Sequence, residues 1–464
     1  MLVNTPFSTE DIVKALRGIL VNGDMGIAFK GICTDTRILE PGYLFWALKG
    51  KRFDGHTFWI EAIAKGAKGL ILEYFPSEMK LEELPKTISI ILVRDTLQAL
   101  GELAKWYREQ KKFKVIGITG SCGKTTTKEL TATLLSQFFR VAKNEANYNN
   151  LIGVPLSILQ IKEKPDWVVL ELGTNAPNEI KKLAEIISPQ ISLITCVYPA
   201  HLEGLGSLEG VLEEKLSLFK ATPEEGALIY FYDQPWLREK VSAFPHKKIS
   251  YGKELGADLR LIMLKSLDEG FWAEIEYSGK RYHFRTNPMG EHNLLNLLGA
   301  IATCLSLGIS LEEVLKVLPE DLSLFVRGKL YKKGEVHILD DSYNANPGSM
   351  EKALLWLGDF TQAVKPKVVI LGDMKELGEE TRKFHIRIGE LAGEVADSAI
   401  FIGEMAPFYA EGFKSANKPY EIYPNVETFL ERFTLEIKKG IILIKGSRAL
   451  RMERITQKLL EEAG

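Results

Sequence analysis

The chain has 464 residues, of which 45% are hydrophobic and 26% are charged, and its formal net charge is −2. This length is more than one hydrophobic core supports, so we expect several domains. The near-zero net charge excludes a globally basic protein that is drawn to nucleic acid or to an anionic membrane.

The N-terminal segment predicts a folded start and not a targeting segment. Ser8 and Asp11 form the pattern of a capping box that opens an amphipathic helix. The segment lacks a basic region followed by an apolar one, and no run in the chain approaches the ~18 apolar residues of a membrane span. The four cysteines form no CxxC pair and no disulfide framework. We therefore expect a cytoplasmic protein that is neither exported nor inserted into a membrane.

Apolar runs alternate with helical patterns along most of the chain, which predicts an α/β fold with mostly parallel sheets. Residues 1–94 form the first predicted domain, and a helix over 95–110 leads out of it. The second predicted domain covers residues 95–321 and contains strands over 113–119, 166–172 and 191–197 and a long helix over 293–307.

The third predicted domain covers residues 322–464. Its four apolar runs, separated by helical patterns, predict a doubly wound, Rossmann-like domain. These runs are EVHILDD, PKVVILGD, SAIFIG and GIILIKGS.

The stretch GITGSCGKTTTKE follows an apolar strand and opens a helix, which is the context of a phosphate loop. Lys124 is expected on the β- and γ-phosphates, and Thr125 on Mg²⁺ through its hydroxyl. Cys122 could have a lowered thiol pKa at a helix N-terminus, but we favour a small loop residue without chemistry of its own. The expected ATP-binding residues of the loop are Gly120, Ser121, Cys122, Gly123, Lys124, Thr125 and Thr126.

One acidic side chain and one histidine follow strands of the second predicted domain. Glu171 ends the apolar strand WVVLE, where phosphate-loop enzymes commonly place an acid that holds Mg²⁺. His201 comes just after the run ISLITCV, on the side where α/β sheets bind ligands. Lys215 lies on the helical pattern LEGVLEEKLSLFK, and the residue pattern alone predicts only a surface lysine there.

The spacing TGxxGKT[TS] resembles the phosphate loop of the ATP-dependent Mur ligases and of the folylpolyglutamate synthases. The runs TDTRILEPGYLFWALKGKRFDGHTF, DDSYNANPGSM and GDMKELGEETRKFHIRIG resemble the MurF type of Mur ligase along nearly the whole chain. The resemblance implies a small N-terminal UDP-binding domain, a central ATPase-like domain and a C-terminal ligase domain. It also implies ATP-dependent addition of D-alanyl-D-alanine to UDP-N-acetylmuramoyl-tripeptide, through an acyl phosphate, by a monomer that serves peptidoglycan synthesis and so cell shape and division.

The resemblance assigns roles to individual residues. It makes Lys124, His201 and a carbamoylated Lys215 catalytic, and it places Mg²⁺ on Thr125, Glu171, His201 and the Lys215 carbamate. It adds Asn293, with His292 and Asn296 beside it, and Arg327, Asp341, Tyr343, Asn344 and Asn346 to the ATP site. It assigns the UDP substrate to Thr36, Arg37, Asp54, Gly55, His56 and Asn150.

This chain departs from the family pattern at three places. The usual Asn-Ile-Gly ahead of the AHLE run is Cys196-Val197-Tyr198 here. The usual Lys-x-Glu at the modified lysine ends in Ser217. The usual Gly-Arg before the third domain is Gly328-Lys329 here, so Arg327 is the candidate for the guanidinium, and whether Arg327 or Lys329 contacts the nucleotide stays open.

Two alternatives stay open from the residues. A ligase that adds glutamate to folate shares the loop but does not need the TDTR…DGH region. A GTP-dependent switch protein would show N-K-x-D, whereas Asn417-Lys418 is followed by Pro419-Tyr420. The third residue of the tripeptide, diaminopimelate or lysine, and the base that deprotonates the attacking amine are also open.

Overall fold

The computed structural model describes residues 1–50, 53–145, 147–266, 271–287, 290–319, 321–322, 328–359, 365–432 and 439–462. Packing divides the chain into two compact units. The first comprises Met1–Gly117, Phe138–Gly173 and Asn178–Gln190, and the second Ile118–Gln137, Thr174–Pro177 and Ile191–Gly464. This division into two units does not test the predicted domain boundaries at residues 94 and 321, which stay predictions.

The N-terminal part of the first unit is a six-stranded sheet with helices. Its order is β1-β5-β6-β7-β8-β3, in which β5 to β8 are parallel and the two edge strands antiparallel. The predicted capping box of Ser8 and Asp11 is confirmed at the start of α1. The elements are β1 (Leu2–Val3), β2 (Phe7–Ser8), α1 (Thr9–Leu16), β3 (Ile19–Asn22), β4 (Ala28–Phe29), β5 (Ile32–Cys33), β6 (Leu44–Trp46), α2 (Trp59–Ala64), β7 (Gly69–Leu72), β8 (Ser89–Leu92) and α3 (Thr96–Lys111).

The middle of the chain alternates strands and helices, as its apolar runs predict. Its elements are β9 (Lys114–Thr119), α4 (Lys124–Leu135), β10 (Val141–Lys143), α5 (Gly153–Leu159), β11 (Trp167–Glu171), α6 (Glu179–Ile187), β12 (Ile191–Ile194), α7 (Leu202–Leu205), α8 (Leu208–Lys220), β13 (Ala227–Phe231), α9 (Pro235–Ser242), β14 (Lys247–Gly252), β15 (Leu259–Ser266), β16 (Phe271–Tyr277), β17 (Lys280–Thr286), α10 (Glu291–Ser306) and α11 (Leu311–Lys316).

Strand direction changes within the second unit. Strands β12 to β15 are parallel, and β15, β16 and β17 form an antiparallel meander at the sheet's edge. The meander was not predicted, because its strands carry many charged residues and lack the continuous apolar run of a strand buried on both faces. β17, for example, is exposed at Lys280 and Arg281.

The C-terminal part of the second unit is doubly wound, as predicted. Its sheet order is β18-β19-β23-β20-β21-β22, with all strands parallel except the edge strand β18, and separate apolar clusters cover its two faces. The elements are β18 (Lys329–Lys333), β19 (Glu335–Asp340), α12 (Pro347–Asp359), β20 (Lys367–Gly372), α13 (Thr381–Val395), β21 (Ser398–Ile402), α14 (Ala406–Phe413), β22 (Tyr420–Tyr423), α15 (Val426–Arg432), β23 (Lys439–Lys445) and α16 (Glu453–Glu462).

The helices of the described ranges are not suited to a bilayer. None of them combines the length and the apolar character that a membrane crossing requires. Their buried faces instead pack on the sheets, as the two clusters of the C-terminal part illustrate.

Candidate active site

The phosphate loop joins β9 to α4 and is held by the segment that follows β12. The Ser121 N–H donates to the Cys196 carbonyl at 2.8 Å, and the Ser121 hydroxyl donates to the Tyr198 carbonyl at 2.8 Å. A Cβ atom at Gly120 would lie 1.9 Å from the hydroxyl oxygen of Thr195, so only glycine fits there. Close packing against this neighbouring segment therefore fixes the loop's path.

Helix α4 begins directly after the loop, and its first turn is not capped by a side chain. Gly123 precedes it with φ +81°, a left-handed conformation that glycine adopts without strain. The Lys124 ammonium folds back and donates to the Gly120 carbonyl at 2.7 Å. The positive end of the helix and the lysine charge thus lie together, which suits an anion.

The loop borders a cavity of about 130 Å³ within the second unit. The cationic and amide groups of its lining suit phosphate groups. Every predicted ATP residue of the described ranges except Gly120 lines it. The lining residues are Ser121, Cys122, Gly123, Lys124, Thr125, Thr126, His201, His292, Asn293, Asn296, Asp341, Tyr343, Asn344, Asn346, Ser349, Lys352, Ala353 and Lys445.

Helix α12 also begins at this cavity, and side chains cap it. The Ser349 N–H donates to Asn346 Oδ1 at 2.9 Å, and the Asn346 N–H donates to the Ser349 hydroxyl at 3.0 Å. Asn346 Nδ2 also donates to the Ser121 carbonyl at 3.4 Å, and its Oδ1 lies 3.9 Å from the Cys122 sulfur. Asn346 therefore links the phosphate loop to the start of α12.

Cys122 does not have the lowered thiol pKa that a helix N-terminus could produce. Its hydrogen bond with Cys196, followed by burial, raises the pKa of the Cys122 thiol. The interpretation of Cys122 as a loop residue without its own chemistry is in line with this direction, since a protonated thiol is a weak nucleophile.

The predicted segment Asp341 to Asn346 follows β19 and lies beside the end of β23. Lys445 is 2% exposed and forms an ion pair of 2.5 Å with Asp341 Oδ2. Its ammonium also donates to the Asn344 carbonyl at 3.0 Å. Tyr343 is 38% exposed, and the guanidinium of Arg448 lies 5.8 Å from its ring centroid. The segment is thus anchored by a buried cation.

The start of α10 supplies another wall of the cavity. Asn296 Nδ2 lies 3.4 Å from Asn293 Oδ1, and both side chains are buried. Burial, together with the charges of Lys352 and Lys445, lowers the pKa of His292 to about 3. His292 is therefore a neutral side chain at physiological pH, and it can accept or donate a hydrogen bond beside the cationic groups.

His201 lines the cavity and is oriented by a carboxylate. Its Nδ1 contacts Glu376 Oε2, which belongs to the GDMKELG run between β20 and α13. Both residues have left-handed backbones, with φ values of +55° and +64°, a conformation that costs free energy outside glycine. The contact leaves Nε2 of His201 as the ring nitrogen for a ligand.

Lys215 lies on α8 and is 2% exposed, unlike the surface lysine that the pattern alone predicts. Burial, followed by the nearby charge of Lys124, lowers the pKa of Lys215 to about 7. Glu214 is also buried, and the Thr174 hydroxyl donates to its Oε1 at 3.2 Å. The neighbourhood thus contains a buried acid even though residue 217 is a serine.

Glu171 and Asn150 belong to the first unit. Glu171 is 1% exposed at the end of β11, and its Oε1 accepts a hydrogen bond from Asn149 Nδ2 at 2.8 Å. The Asn150 side-chain oxygen accepts from the Gly153 N–H at 2.8 Å, at the start of α5. The Asn150 side chain thus shapes the loop before α5, and its role at the substrate stays a prediction.

Thr36 and Arg37 form a short 3-10 helix that Asp35 caps. The Arg37 side chain is 85% exposed and pairs with Asp35 at 2.6 Å. This hydrogen bond lowers the pKa of Asp35 to about 2. Thr36 is buried, and its carbonyl accepts from the Lys65 ammonium at 2.8 Å. Asp35 thus holds the Arg37 guanidinium at the protein surface.

Asp54 and His56 form a second polar cluster in the N-terminal part of the first unit. The Glu73 N–H donates to His56 Nε2 at 2.9 Å, so Nδ1 carries the proton that faces Asp54 Oδ1 at 2.6 Å. Tyr74 stacks on His56 with centroids 4.3 Å apart, and its hydroxyl donates to Asp54 Oδ2 at 2.6 Å. Burial raises the pKa of Asp54, but the hydrogen bonds from Tyr74 and His56 lower it to about 2 overall. At Gly55, a Cβ would lie 2.6 Å from the Leu48 carbonyl oxygen.

Three models of one family match the chain in succession. They are the Mur ligase family catalytic domain at residues 28–108, the Mur ligase middle domain at 118–304 and the Mur ligase glutamate ligase domain at 326–448. The chain is 34% identical to the UDP-N-acetylmuramoyl-tripeptide–D-alanyl-D-alanine ligase of Bacillus subtilis, over 98% of both chains. It is 33% identical to the ligase of that name from Escherichia coli, over 95% of this chain and 97% of the other.

The chain belongs to the Mur ligase family. Solved structures agree with this assignment. A crystal structure of MurF from Acinetobacter baumannii superposes with a TM-score of 0.89 at 30% identity and covers 99% of this chain and 100% of its own. The MurF ligase of Thermotoga maritima in complex with ADP superposes with a TM-score of 0.82 at 29% identity, over 93% and 97% of the two chains. The predicted three-domain α/β fold is confirmed.

Some residues of this Mur ligase site could not be found from the sequence. Lys352, Glu214 and Tyr74 carry no recognisable spacing signal. Glu376 lies in the quoted GDMKELG run, but the sequence assigned it no role, and only the folded chain brings it to His201. The predicted ATP residue Arg327 lies outside the described residues.

Proposed function

We propose that this Mur ligase joins D-alanyl-D-alanine to the terminal carboxylate of UDP-N-acetylmuramoyl-tripeptide, with ATP converted to ADP and phosphate. The observation that carries the proposal is the shared cavity. The phosphate loop and the DDSYNANP segment, more than 200 residues apart in the chain, line the same space. Full-length similarity to ligases of that name supports the substrate assignment, and the ADP complex of the Thermotoga maritima relative supports the use of ATP.

The first step is phosphoryl transfer. A carboxylate oxygen of the tripeptide attacks the γ-phosphorus, the bond from phosphorus to the bridging oxygen breaks, and ADP leaves. Lys124 and the N-terminus of α4 stabilise the charge that spreads over the transferring group. The product is an acyl phosphate, whose phosphate is a good leaving group.

The second step forms the amide. The amine nitrogen of D-alanyl-D-alanine attacks the acyl carbon to give a tetrahedral intermediate, phosphate leaves, and the nitrogen loses a proton. The protein mainly holds the reactants together, which can contribute ~7–11 kcal/mol to lowering the barrier. The His201 and Glu376 pair keeps the imidazole fixed beside the reacting groups.

The site is also proposed to hold Mg²⁺ with a carbamoylated lysine, and two of the proposed ligands, Thr125 and His201, line the cavity. Mg²⁺ prefers oxygen ligands, and the proposed set is Thr125, His201 and the carbamate of Lys215, with Glu171 added by the resemblance. No group of three or more His, Cys, Asp or Glu side chains in the described ranges is placed to hold a metal ion. Bound Mg²⁺ would neutralise phosphate charge. An amine with a pKa of about 7 is neutral often enough to attack CO₂ and lose a proton.

The N-terminal residues are proposed to hold the UDP part of the substrate. Arg37 presents an exposed guanidinium that suits a diphosphate. The Tyr74 ring and the Asp54 carboxylate lie together and offer stacking and hydrogen bonding to a base. We further propose a cytoplasmic monomer, and the four unpaired cysteines are in keeping with a reducing compartment.

The test is a phosphate-release assay on the purified full-length chain. We expect phosphate to appear from ATP, but not from GTP, and only when both D-alanyl-D-alanine and UDP-N-acetylmuramoyl-tripeptide are present. Mass spectrometry should find the UDP-linked pentapeptide. Running the assay with the diaminopimelate and the lysine forms of the tripeptide identifies the third residue.

Two results would contradict the proposal. Release that does not depend on the dipeptide would point to an ATPase, and turnover of GTP without either substrate would favour a nucleotide switch. The Lys383→Ala variant serves as the control because Lys383 is 73% exposed on α13 and pairs only locally with Glu380.

A further inference from the structure

Lys352 brings a cation to the phosphate cavity from α12, beside the Cys196–Tyr198 segment that holds the loop. It lies on α12, is half-buried, and lines the cavity with Lys124 and Lys445. It was not among the residues that the sequence or the family resemblance assigned to the nucleotide.

Lys352 and Lys445 differ in the acidic groups that surround them. Lys445 pairs with Asp341 at 2.5 Å. By contrast, no carboxylate within the described residues lies within 4.0 Å of the Lys352 ammonium. A half-buried cation without a carboxylate partner is costly, and an anionic ligand in the cavity would reduce that cost.

Two residues hold the Lys352 side chain in this position. Its ammonium lies 5.2 Å from the centroid of the Tyr198 ring and 4.0 Å from the Cys196 sulfur. Cation–π contact with an aromatic face is favourable by ~0.5–2 kcal/mol. Cys196 and Tyr198 are two of the residues at which the sequence departs from the Asn-Ile-Gly pattern.

The protonation states around Lys352 agree with a positive cavity. Burial lowers the pKa of Lys352, but the neighbouring Cys196, Cys122 and Tyr198 raise it more, so the net shift is upward. The Lys352 side chain is therefore an ammonium at neutral pH. Its charge in turn helps burial to lower the pKa of His292.

We propose that Lys352 is a phosphate-contacting residue that binds the polyphosphate of ATP from α12, together with the phosphate loop. The inference rests on the proposed use of ATP. In this arrangement Lys124 approaches the phosphates from the loop and Lys352 from α12. The capped N-terminus of α12 then contributes a side-chain cation where α4 contributes its helix end.

The test compares Lys352→Met, Lys352→Gln and Lys352→Arg with Lys383→Met as the matched control. Calorimetry measures the Kd of ATP, with inorganic tripolyphosphate as a competitor that lacks the nucleoside. We expect Lys352→Met and Lys352→Gln to bind ATP and tripolyphosphate at least tenfold more weakly, since a charge-assisted contact is lost. Lys352→Arg should recover most of the affinity, and Lys383→Met should match the wild type.

Unchanged ATP and tripolyphosphate affinity in a folded Lys352→Gln protein would overturn the inference. So would an equal loss in Lys352→Arg, because it would assign Lys352 to packing and not to charge. Thermal unfolding of each variant separates these outcomes from misfolding, and the polar Gln variant replaces Met if the latter fails to fold. A wild type that binds ATP but performs no ligation would contradict the proposed function and leave the Lys352 comparison intact.

Discussion

Two helices begin at the same cavity, and their N-termini differ. Helix α4 follows Gly123, and no side chain caps its first turn. Helix α12 is capped by the reciprocal contacts of Asn346 and Ser349. The first helix therefore presents its dipole and backbone to an anion, whereas the second has its end satisfied internally and acts through side chains. Chemistry should thus depend on the α4 side and stability on the α12 cap.

The largest effect is expected from Lys124→Ala. Removing the lysine at the start of α4 takes a cation from the transferring phosphoryl group, so kcat should fall on the order of 10²–10³-fold or more. Steady-state phosphate release measures the loss, and circular dichroism checks that the protein is folded. Near-normal kcat in a folded Lys124→Ala protein would show that catalysis does not depend on the N-terminus of α4.

Lys215→Arg should come next, with turnover reduced on the order of 100-fold. Arginine keeps a positive charge but cannot form the carbamate, and losing a metal ligand is at least as severe as losing its outer-shell partner. Lys215→Ala should regain some activity when a short carboxylic acid fills the gap. Full activity in Lys215→Arg would remove the carbamate from the mechanism, and we would then test Lys220.

The lowered pKa of Lys215 gives this prediction a pH signature. The neutral amine attacks CO₂, and the neutral form predominates above a pKa of about 7 in the folded protein, compared with ~10.4 for a free lysine. After removal of CO₂, reactivation at a fixed concentration of dissolved CO₂ should accelerate as pH rises through about 7 and then level off. A rise that continues to pH 10 would mean that Lys215 is not perturbed.

Gly123→Ala should disturb the start of α4, with a smaller effect on activity than either lysine substitution. The left-handed φ of +81° costs ~1–2 kcal/mol for alanine, and its Cβ would lie 2.3 Å from Asn296 Oδ1. We expect lower stability and weaker ATP binding. The matched control is Gly279→Ala, at φ +74° with no heavy atom within 4 Å of the added Cβ. If both variants bind ATP like the wild type, the packing of Gly123 against Asn296 is not important for the site.

Ser349→Ala should give the smallest effect, and one on stability alone. It removes the hydroxyl that accepts from the Asn346 N–H, and loss of a cap costs ~0.5–2 kcal/mol. Denaturant unfolding measures this cost, while kcat should change little. Ser415→Ala, at an exposed position after α14, should stay within ~0.5 kcal/mol of the wild type. A large loss of kcat in Ser349→Ala would show that the α12 end takes part in catalysis as directly as α4.

The sequence by itself determined the elements whose signal is local. Helix α8 covers Leu208–Lys220, the predicted helical pattern, and α3 starts after its cap Asp95 as expected. The phosphate loop could be read because a strand, glycines and a helix follow one another within about fifteen residues. The strands of the C-terminal domain were found because burial on both faces makes each one a continuous apolar run.

The tertiary structure alone decided which charges meet. Lys352 lies 156 residues from Cys196, and His201 lies 175 residues from Glu376, so no spacing rule connects them. Burial likewise turns Lys215 from a predicted surface lysine into an amine with a pKa of about 7. A pKa and an ion pair depend on the dielectric and the charges within a few ångströms, and only the packing of distant segments sets those.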